Sequence, residues 1–471
     1  MFVGRQDLLD RLLSLWNKAT PSSLVTCRGR RRIGKSRLIE EFAIRSQTRF
    51  VKIEGLSPRE AQCDADQLKA FHVQLQVISG KTYKATNWLQ AFKDLDEALT
   101  DEPTVLLLDE ISWLGGFNKD FPGYLKIAWD NFFHKRDRLI VVLCGSVSSW
   151  IQKNIMNNTA FLGRRSLDLV VDELPPRLCR AFWGASADKV SSRELLDMLS
   201  VTGGVPRYLE EIKSALTLDE NIRRMCFTSD GYLFEDFDLM FSEIYGDSAL
   251  ERKQVLEVLA AAPLSVSGIA ERLGKTRNGH LSATVRELVM AGFVREEHGF
   301  NPMTGRPAQE TTYRICDNYV RFYFRAIRPR AQMIAAGSYR FESLDQLPGW
   351  ESILGLQFEN LVLNALPELV RRLGLDRSLI LSAAPFRKGG ANGCQIDCLI
   401  QTKRSLYVIE IKRRAEIGGE VIGEVEEKIA RLKCDRRLSV RPILVYDGRL
   451  SPSVREENYF AMIISAEELF L

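Results

Sequence analysis

Gly29-Arg30-Arg31-Arg32-Ile33-Gly34-Lys35-Ser36 sets two glycines, a lysine and a hydroxyl in the G-x4-G-K-[ST] spacing. Glycines let backbone N–H groups curl around phosphate oxygens at a helix N-terminus. A lysine in this position reaches the β- and γ-phosphates, and the hydroxyl can ligate Mg²⁺. Arg37 opens the helix that follows and belongs to the same phosphate-binding loop. A second acidic element, Asp109-Glu110, closes the apolar run 105–108. A carboxylate ending a buried strand can hold Mg²⁺ while its neighbour polarises the attacking water, so Asp109 joins Ser36 on the metal and Glu110 is the base. Cys144-Gly145-Ser146 ends the next apolar run, 139–143, and would set Ser146 between the two elements, near the γ-phosphate or the water. A plain strand-ending turn is the competing reading.

The C-terminal part offers a different chemistry. Asp397 is followed thirteen residues later by Glu410-Ile411-Lys412, a D-x(n)-E-x-K pattern on two strand-like runs, 396–400 and 406–411. Strand side chains alternate, so Glu410 and Lys412 share a face, and a hairpin brings Asp397 beside them. Asp397 and Glu410 can then hold one or two Mg²⁺ or Mn²⁺ ions that clamp a scissile phosphate, while Lys412 positions or deprotonates the water. A salt-bridge cluster on a sheet edge is the alternative.

These groups need particular elements to position them. Runs at 24–27, 50–53, 105–108, 139–143 and 167–171 are near-continuously apolar between helical stretches, the pattern of a parallel α/β sheet covered on both faces. From Leu174 the pattern turns helical, broken at Gly203-Gly204-Val205-Pro206, and suggests a lid. Residues 250–313 read as a winged helix-turn-helix, with a turn at 274–279, a helix over 280–290 and a hairpin around 301–307. Residues 251–330 carry 13 Lys/Arg against 8 Asp/Glu, a local excess of +5 in a chain whose whole excess is +4. Lys275, Arg277, Asn278, His280 and Arg286 lie on or before the recognition helix, so DNA is the expected partner. A pure packing role stays open. A connector near 321–346 leads to a helix around 353–366, strand-like runs at 379–382, 396–400, 406–411 and 442–445, and a helix over 421–432. The predicted architecture is α/β, with a nucleotide-binding core over 1–173, a lid over 174–249, a winged helix and connector over 250–330, and a second, smaller α/β domain over 331–471.

With 471 residues, the chain exceeds what one hydrophobic core usually holds. At 45% hydrophobic and 27% charged residues it has a globular composition. Nine dispersed cysteines without a Cys-x-x-Cys pair, no leader and no long apolar stretch predict free thiols in a cytoplasmic protein. His72, His134, His280 and His298 are too scattered to suggest zinc.

The chain resembles AAA+-like P-loop ATPases of the STAND-related archaeal type, found in archaea and bacteria. The resemblance rests on Phe2-Val3-Gly4-Arg5, the phosphate-binding loop, the Leu-Leu-Asp-Glu ending at Glu110, Cys144-Gly145-Ser146, Leu162-Gly163-Arg164-Arg165 and the run from Gly203 to Leu209. It implies ATP as cofactor, Val3, Gly4 and Arg5 lining the adenine pocket, and Pro206 against the nucleotide from the lid. It further implies Ser146 as sensor and Arg164 as arginine finger, which requires either a neighbouring domain or a neighbouring subunit, the latter in a homo-oligomer; a solvated surface arginine is the alternative. The C-terminal pattern resembles the PD-(D/E)XK restriction-endonuclease-like superfamily. By that resemblance Glu359 takes the first acidic position and Lys428 the extra polar one, with Ile396 standing where proline is usual.

Overall fold

The computed structural model describes residues 2–18, 22–57, 59, 61–146, 148–389 and 393–470. Five strands, β1 (Ser22–Arg28), β2 (Arg49–Glu54), β3 (Thr104–Asp109), β4 (Leu139–Gly145) and β5 (Arg165–Val170), form a sheet in the order β2-β3-β4-β1-β5, with every pairing parallel. The apolar runs are apolar because both faces are covered. Val105, Leu107, Ile140, Val142 and Cys144 enter one core, while Leu106, Leu108, Leu139, Val141 and Leu143 enter the other, the period-2 division of a strand buried on both sides. Because β4 lies between β3 and β1, the ends of these three strands stand side by side.

Helix Lys35–Arg45 follows β1 and buries Leu38, Ile39, Phe42 and Ala43. Past β5 come helices Ser192–Thr202, Pro206–Leu209, Leu218–Cys226 and Tyr232–Tyr245, of which Pro206, Arg207 and Tyr232 face the loop after β1. Helices Ala249–Ala261, Val266–Arg272 and Gly279–Met290 come next; Ser265 and Asn278 accept the amides of Gly268 and Leu281 and so cap the last two. An antiparallel pair, β6 (Val294–Glu297) and β7 (Thr312–Ile315), closes this segment, and the Leu264–Tyr313 bridge ties it to the helices.

A second, mixed sheet contains β8 (Ile380–Lys388), β9 (Cys394–Thr402), β10 (Ser405–Ile417), β11 (Ser439–Leu450) and β12 (Met462–Ser465) in the order β12-β11-β10-β9-β8. β10 pairs antiparallel with β9 and parallel with β11, and helix Glu420–Arg431 makes the crossover between β10 and β11. Helix Trp350–Asn364 packs on β10. One continuous apolar cluster runs from Leu8 through the helices that follow β5 to Phe470. Among the described residues no helix is long and apolar enough to cross a membrane. All nine cysteines are free thiols.

Candidate functional sites

The loop between β1 and helix Lys35–Arg45 turns on glycine. Gly29 has φ +152, and a Cβ there would stand 2.4 Å from the carbonyl oxygen of Val171; Gly34 has φ +88 with nothing within 4 Å, so it caps the helix in a conformation that L side chains avoid. Lys35 Nζ donates to the carbonyls of Gly29 and Arg30, both at 3.1 Å. Ser36 Oγ donates to Asp109 Oδ2 at 2.6 Å, which Lys52 Nζ also approaches at 3.1 Å. Burial pushes the Asp109 carboxyl up, but the Ser36 hydroxyl and the Lys52 ammonium outweigh it and hold the group below its ordinary range. Asp109 is thus an anion, and Ser36 and Asp109 present the hard oxygen donors that Mg²⁺ prefers. Glu110 stands at φ +47 and accepts from Ser146 through its amide at 3.1 Å and its hydroxyl at 2.8 Å. A non-glycine residue held in the left-handed region beside this pair is the backbone strain common at functional sites.

Gly34, Lys35, Ser36 and Glu110 open on a cavity of about 540 Å³, with Asp109 and Ser146 buried behind Ser36 and Glu110. Val3, Arg5, Arg31, Arg32, Ile33, Gly34, Lys35, Ser36, Arg37, Glu110 and Pro206, all expected from the sequence, line it. Gly4 stands behind the wall: at φ +69, a Cβ would meet Leu178 at 2.6 Å. Burial lowers the pKa of Arg5, whose guanidinium donates to the Ile33 carbonyl at 3.3 Å. Phe2, Leu174, Phe182, Arg207, Glu210 and Tyr232 line the same walls without having been expected there from the sequence. Of these, Arg207 stands one residue beyond Pro206 in the glycine-proline run, the one signal that could have found it. Lys52 went unnoticed as well, because a lysine in mid-strand carries no motif.

Three expected site residues are placed elsewhere: Gly29, like Arg30, lines a neighbouring cavity with Val171, Glu173 and Gly292. Arg30 turns its side chain away from the cavity that Lys35 and Ser36 line, because Asp317 at 2.7 Å and Tyr208 Oη at 3.1 Å draw the guanidinium toward helices Asn318–Phe322 and Pro206–Leu209; only its backbone stays with the loop. Arg164 precedes β5 at the opposite end of the parallel sheet from the phosphate loop and forks onto Asp130 at 2.7 and 3.0 Å, so it does not reach the cavity of its own chain.

A Walker-type ATPase of Pyrococcus abyssi superposes on 69% of this chain and 96% of its own, with 16% identity and a TM-score of 0.51. The chain shares the fold of a Walker-type ATPase. An ORC2 protein of Aeropyrum pernix aligns over 70% of this chain and 93% of its own, with 14% identity and a TM-score of 0.41. In sequence, an uncharacterized protein of Methanocaldococcus jannaschii is 24% identical over 377 residues, 78% of each chain. No family model matches.

On the second sheet, Asp397, Glu410 and Lys412 converge. Asp397 Oδ2 accepts the Ile411 amide across the β9–β10 pairing at 2.8 Å. Glu410, only 1% exposed, is gripped by Lys428 Nζ at 2.6 Å to both oxygens and by Lys412 Nζ at 2.9 Å; Lys412 also meets Glu424 at 2.6 Å. Burial, then the nearby carboxylates of Glu410 and Glu359, pushes Asp397 up to about 8. Glu359, itself raised by burial, pairs loosely with Arg387 at 3.7 Å. Arg387 in turn meets Glu297 of β6 at 3.3 Å, and Glu297 accepts from Arg314 of β7 at 2.6 Å, so the hairpin is joined to this cluster by ions. Phe300, beyond β6, packs with Ile396, Leu399 and Leu406. Among the described residues no group of three or more His, Cys, Asp or Glu is arranged to hold a metal, so a cation would depend on Asp397 and Glu410 with water or a phosphate oxygen.

Proposed function

We propose that this chain binds ATP with Mg²⁺ and hydrolyses it in the N-terminal cavity, and that its C-terminal sheet carries a metal-dependent DNA-cleaving site under control of the nucleotide. The observation that carries the first half is that Ser36 and Glu110 line one cavity, each backed by a buried partner, Asp109 at 2.6 Å from Ser36 and Ser146 at 2.8 Å from Glu110. In this reading the loop amides from Gly29 to Arg37 and Lys35 hold the phosphates, while Val3, Gly4, Arg5 and Pro206 enclose the base. Ser36 and Asp109 hold Mg²⁺, which offsets phosphate charge. Glu110 takes the proton of the attacking water, and Ser146 orients that carboxylate. The fold shared with a Walker-type ATPase supports the assignment.

In Lys35→Ala, ATP binding measured by calorimetry is lost. In Glu110→Gln, binding is retained and turnover falls by about 100-fold or more, the usual contribution of a positioned base; unchanged turnover in either variant contradicts the roles of Lys35 and Glu110.

For the second half, the domain limits are taken as 1–173, 174–249, 250–330 and 331–471. Lys275, Arg277, Asn278, His280 and Arg286, all exposed, would meet DNA phosphates and bases. Asp397, Glu410, Lys412 and Glu359 would perform a restriction-endonuclease-like cleavage. A second reading, a STAND-type switch that cuts nothing, is favoured by the grip of two lysines on Glu410. Incubation with supercoiled and linear DNA, Mg²⁺ or Mn²⁺, with and without ATP, separates the two. Cleavage that disappears in Asp397→Ala/Glu410→Ala supports the nuclease, and no cleavage under any condition supports the switch.

A further inference from the structure

Arg30 stands between the two sites. Its guanidinium, 4% exposed, is paired with Asp317, whose carboxylate also accepts the Val320 amide at 3.0 Å and caps helix Asn318–Phe322. The next residue, Asn318, donates to the carbonyl of Leu199 in helix Ser192–Thr202 at 3.0 Å and accepts from Asn360 at 2.7 Å. Gln357 spends both hydrogens of its Nε2, one on the carbonyl of Asn318 and one on that of Ser200, each at 2.7 Å. Gln357 and Asn360 flank Glu359 on helix Trp350–Asn364.

A second branch leaves helix Ser192–Thr202. Arg413, next to Lys412 on β10, pairs with Asp197, reaches Ser200 Oγ at 3.2 Å and meets Asp447 at 3.0 Å. A chain of hydrogen bonds and ion pairs therefore runs from the phosphate loop to helix Trp350–Asn364, which carries Glu359, and to β10, which carries Glu410 and Lys412. Each member has few substitutes for its partner, because an unpaired polar group at these positions costs the full desolvation of that group.

Lys35 supplies the element with two states. In this structure its ammonium holds the carbonyls of Gly29 and Arg30. The pull of a β- or γ-phosphate on that ammonium would lengthen or break those contacts, and the backbone so loosened belongs to the residue whose side chain is locked on Asp317. We propose that the Asp317-Asn318 turn transmits occupancy of the nucleotide cavity to the placement of Glu359, Glu410 and Lys412, with Asp317, Asn318, Gln357 and Arg413 as positioning residues. This coupling rests on the N-terminal cavity being an ATP site and on the C-terminal carboxylates being the site it controls.

Hydrogen–deuterium exchange of the full chain with and without ATP and Mg²⁺ tests it, read on peptides covering 350–364 and 405–417. In the wild type, protection of both peptides shifts about fivefold or more on ATP binding, the lower range of allosteric couplings. Gln357→Leu loses the shift in 350–364 and Arg413→Gln loses it in 405–417, while calorimetry shows both variants binding ATP as tightly as the wild type. Asp197→Asn, at the less buried end of the Arg413 link, replaces Arg413→Gln should circular dichroism show that variant unfolded. ATP binding with no shift in either wild-type peptide overturns the coupling and leaves the ATP site standing. A shift that persists in the variants also overturns it, and a wild type that binds no ATP removes the nucleotide site and the coupling together.

Discussion

Arg30 faces two carboxyl groups and holds one of them closer than the other. Asp317 takes it at 2.7 Å; Glu173 stands at 3.5 Å, accepts the Gly204 amide, and is pushed up to about 7, first by burial and then by Asp317. A carboxyl whose folded pKa is raised favours the native state fully below its unfolded pKa of about 4.5, and that contribution is lost as pH rises through about 7. The stability of the wild type relative to Glu173→Gln therefore falls between pH 5 and pH 8. The fall is on the order of 2 kcal/mol once screening of a side chain 25% exposed is allowed for; urea unfolding of both proteins across that range measures it, and parallel curves contradict the assignment. At Glu110, the proposed base, Ser146→Ala removes the hydroxyl on the carboxylate and is expected to lower turnover by about 10-fold with little change in ATP affinity, roughly the worth of one hydrogen bond to a charged group. The grouping of the loop residues with Asp109/Glu110 was legible because each motif is contiguous in sequence and ends a strand of one sheet. The orientation of Arg30 was not: three arginines in a row look alike in sequence, and the acceptor that selects one of them lies at Asp317, remote along the chain.

The strands around both sites were legible for a related reason. Val105 to Leu108 and Leu139 to Leu143 are apolar at every position because the sheet is covered on both faces. Helix Asp64–Ser79 gave no such signal, since exposed Val73 and Val77 blur its apolar stripe. β12 is only four residues long, too short to declare a period. The glycines of the elements divide by what surrounds them. A Cβ at Gly204 would stand 2.2 Å from the carbonyl oxygen of Leu174, so Gly204→Ala destabilises the chain by about 1–3 kcal/mol. Gly355, inside helix Trp350–Asn364, has nothing within 4 Å, so Gly355→Ala stabilises it by about 0.5–1 kcal/mol. Thermal unfolding of the two variants should move in opposite directions. The docking of the hairpin on the second sheet rests on Phe300, and Phe300→Ala costs about 3 kcal/mol locally and exposes residues 298–311 to limited proteolysis; an unchanged cleavage pattern contradicts that packing.

At the scale of the molecule, segments that the sequence separates by composition share one apolar cluster and one chain of buried hydrogen bonds. Composition marks where the pattern changes and carries no trace of what packs across the change, which is why the contacts of Asn318, Gln357 and Arg413 could not be read in advance. Everything assigned to the C-terminal carboxylates as a regulated site presupposes that the N-terminal cavity takes a nucleotide. Calorimetric titration of ATP with Mg²⁺ into the full chain and into Lys35→Ala tests this most directly. The account predicts a saturable one-site heat for the wild type and none for the variant. No heat from the wild type, or the same isotherm from both, would contradict it.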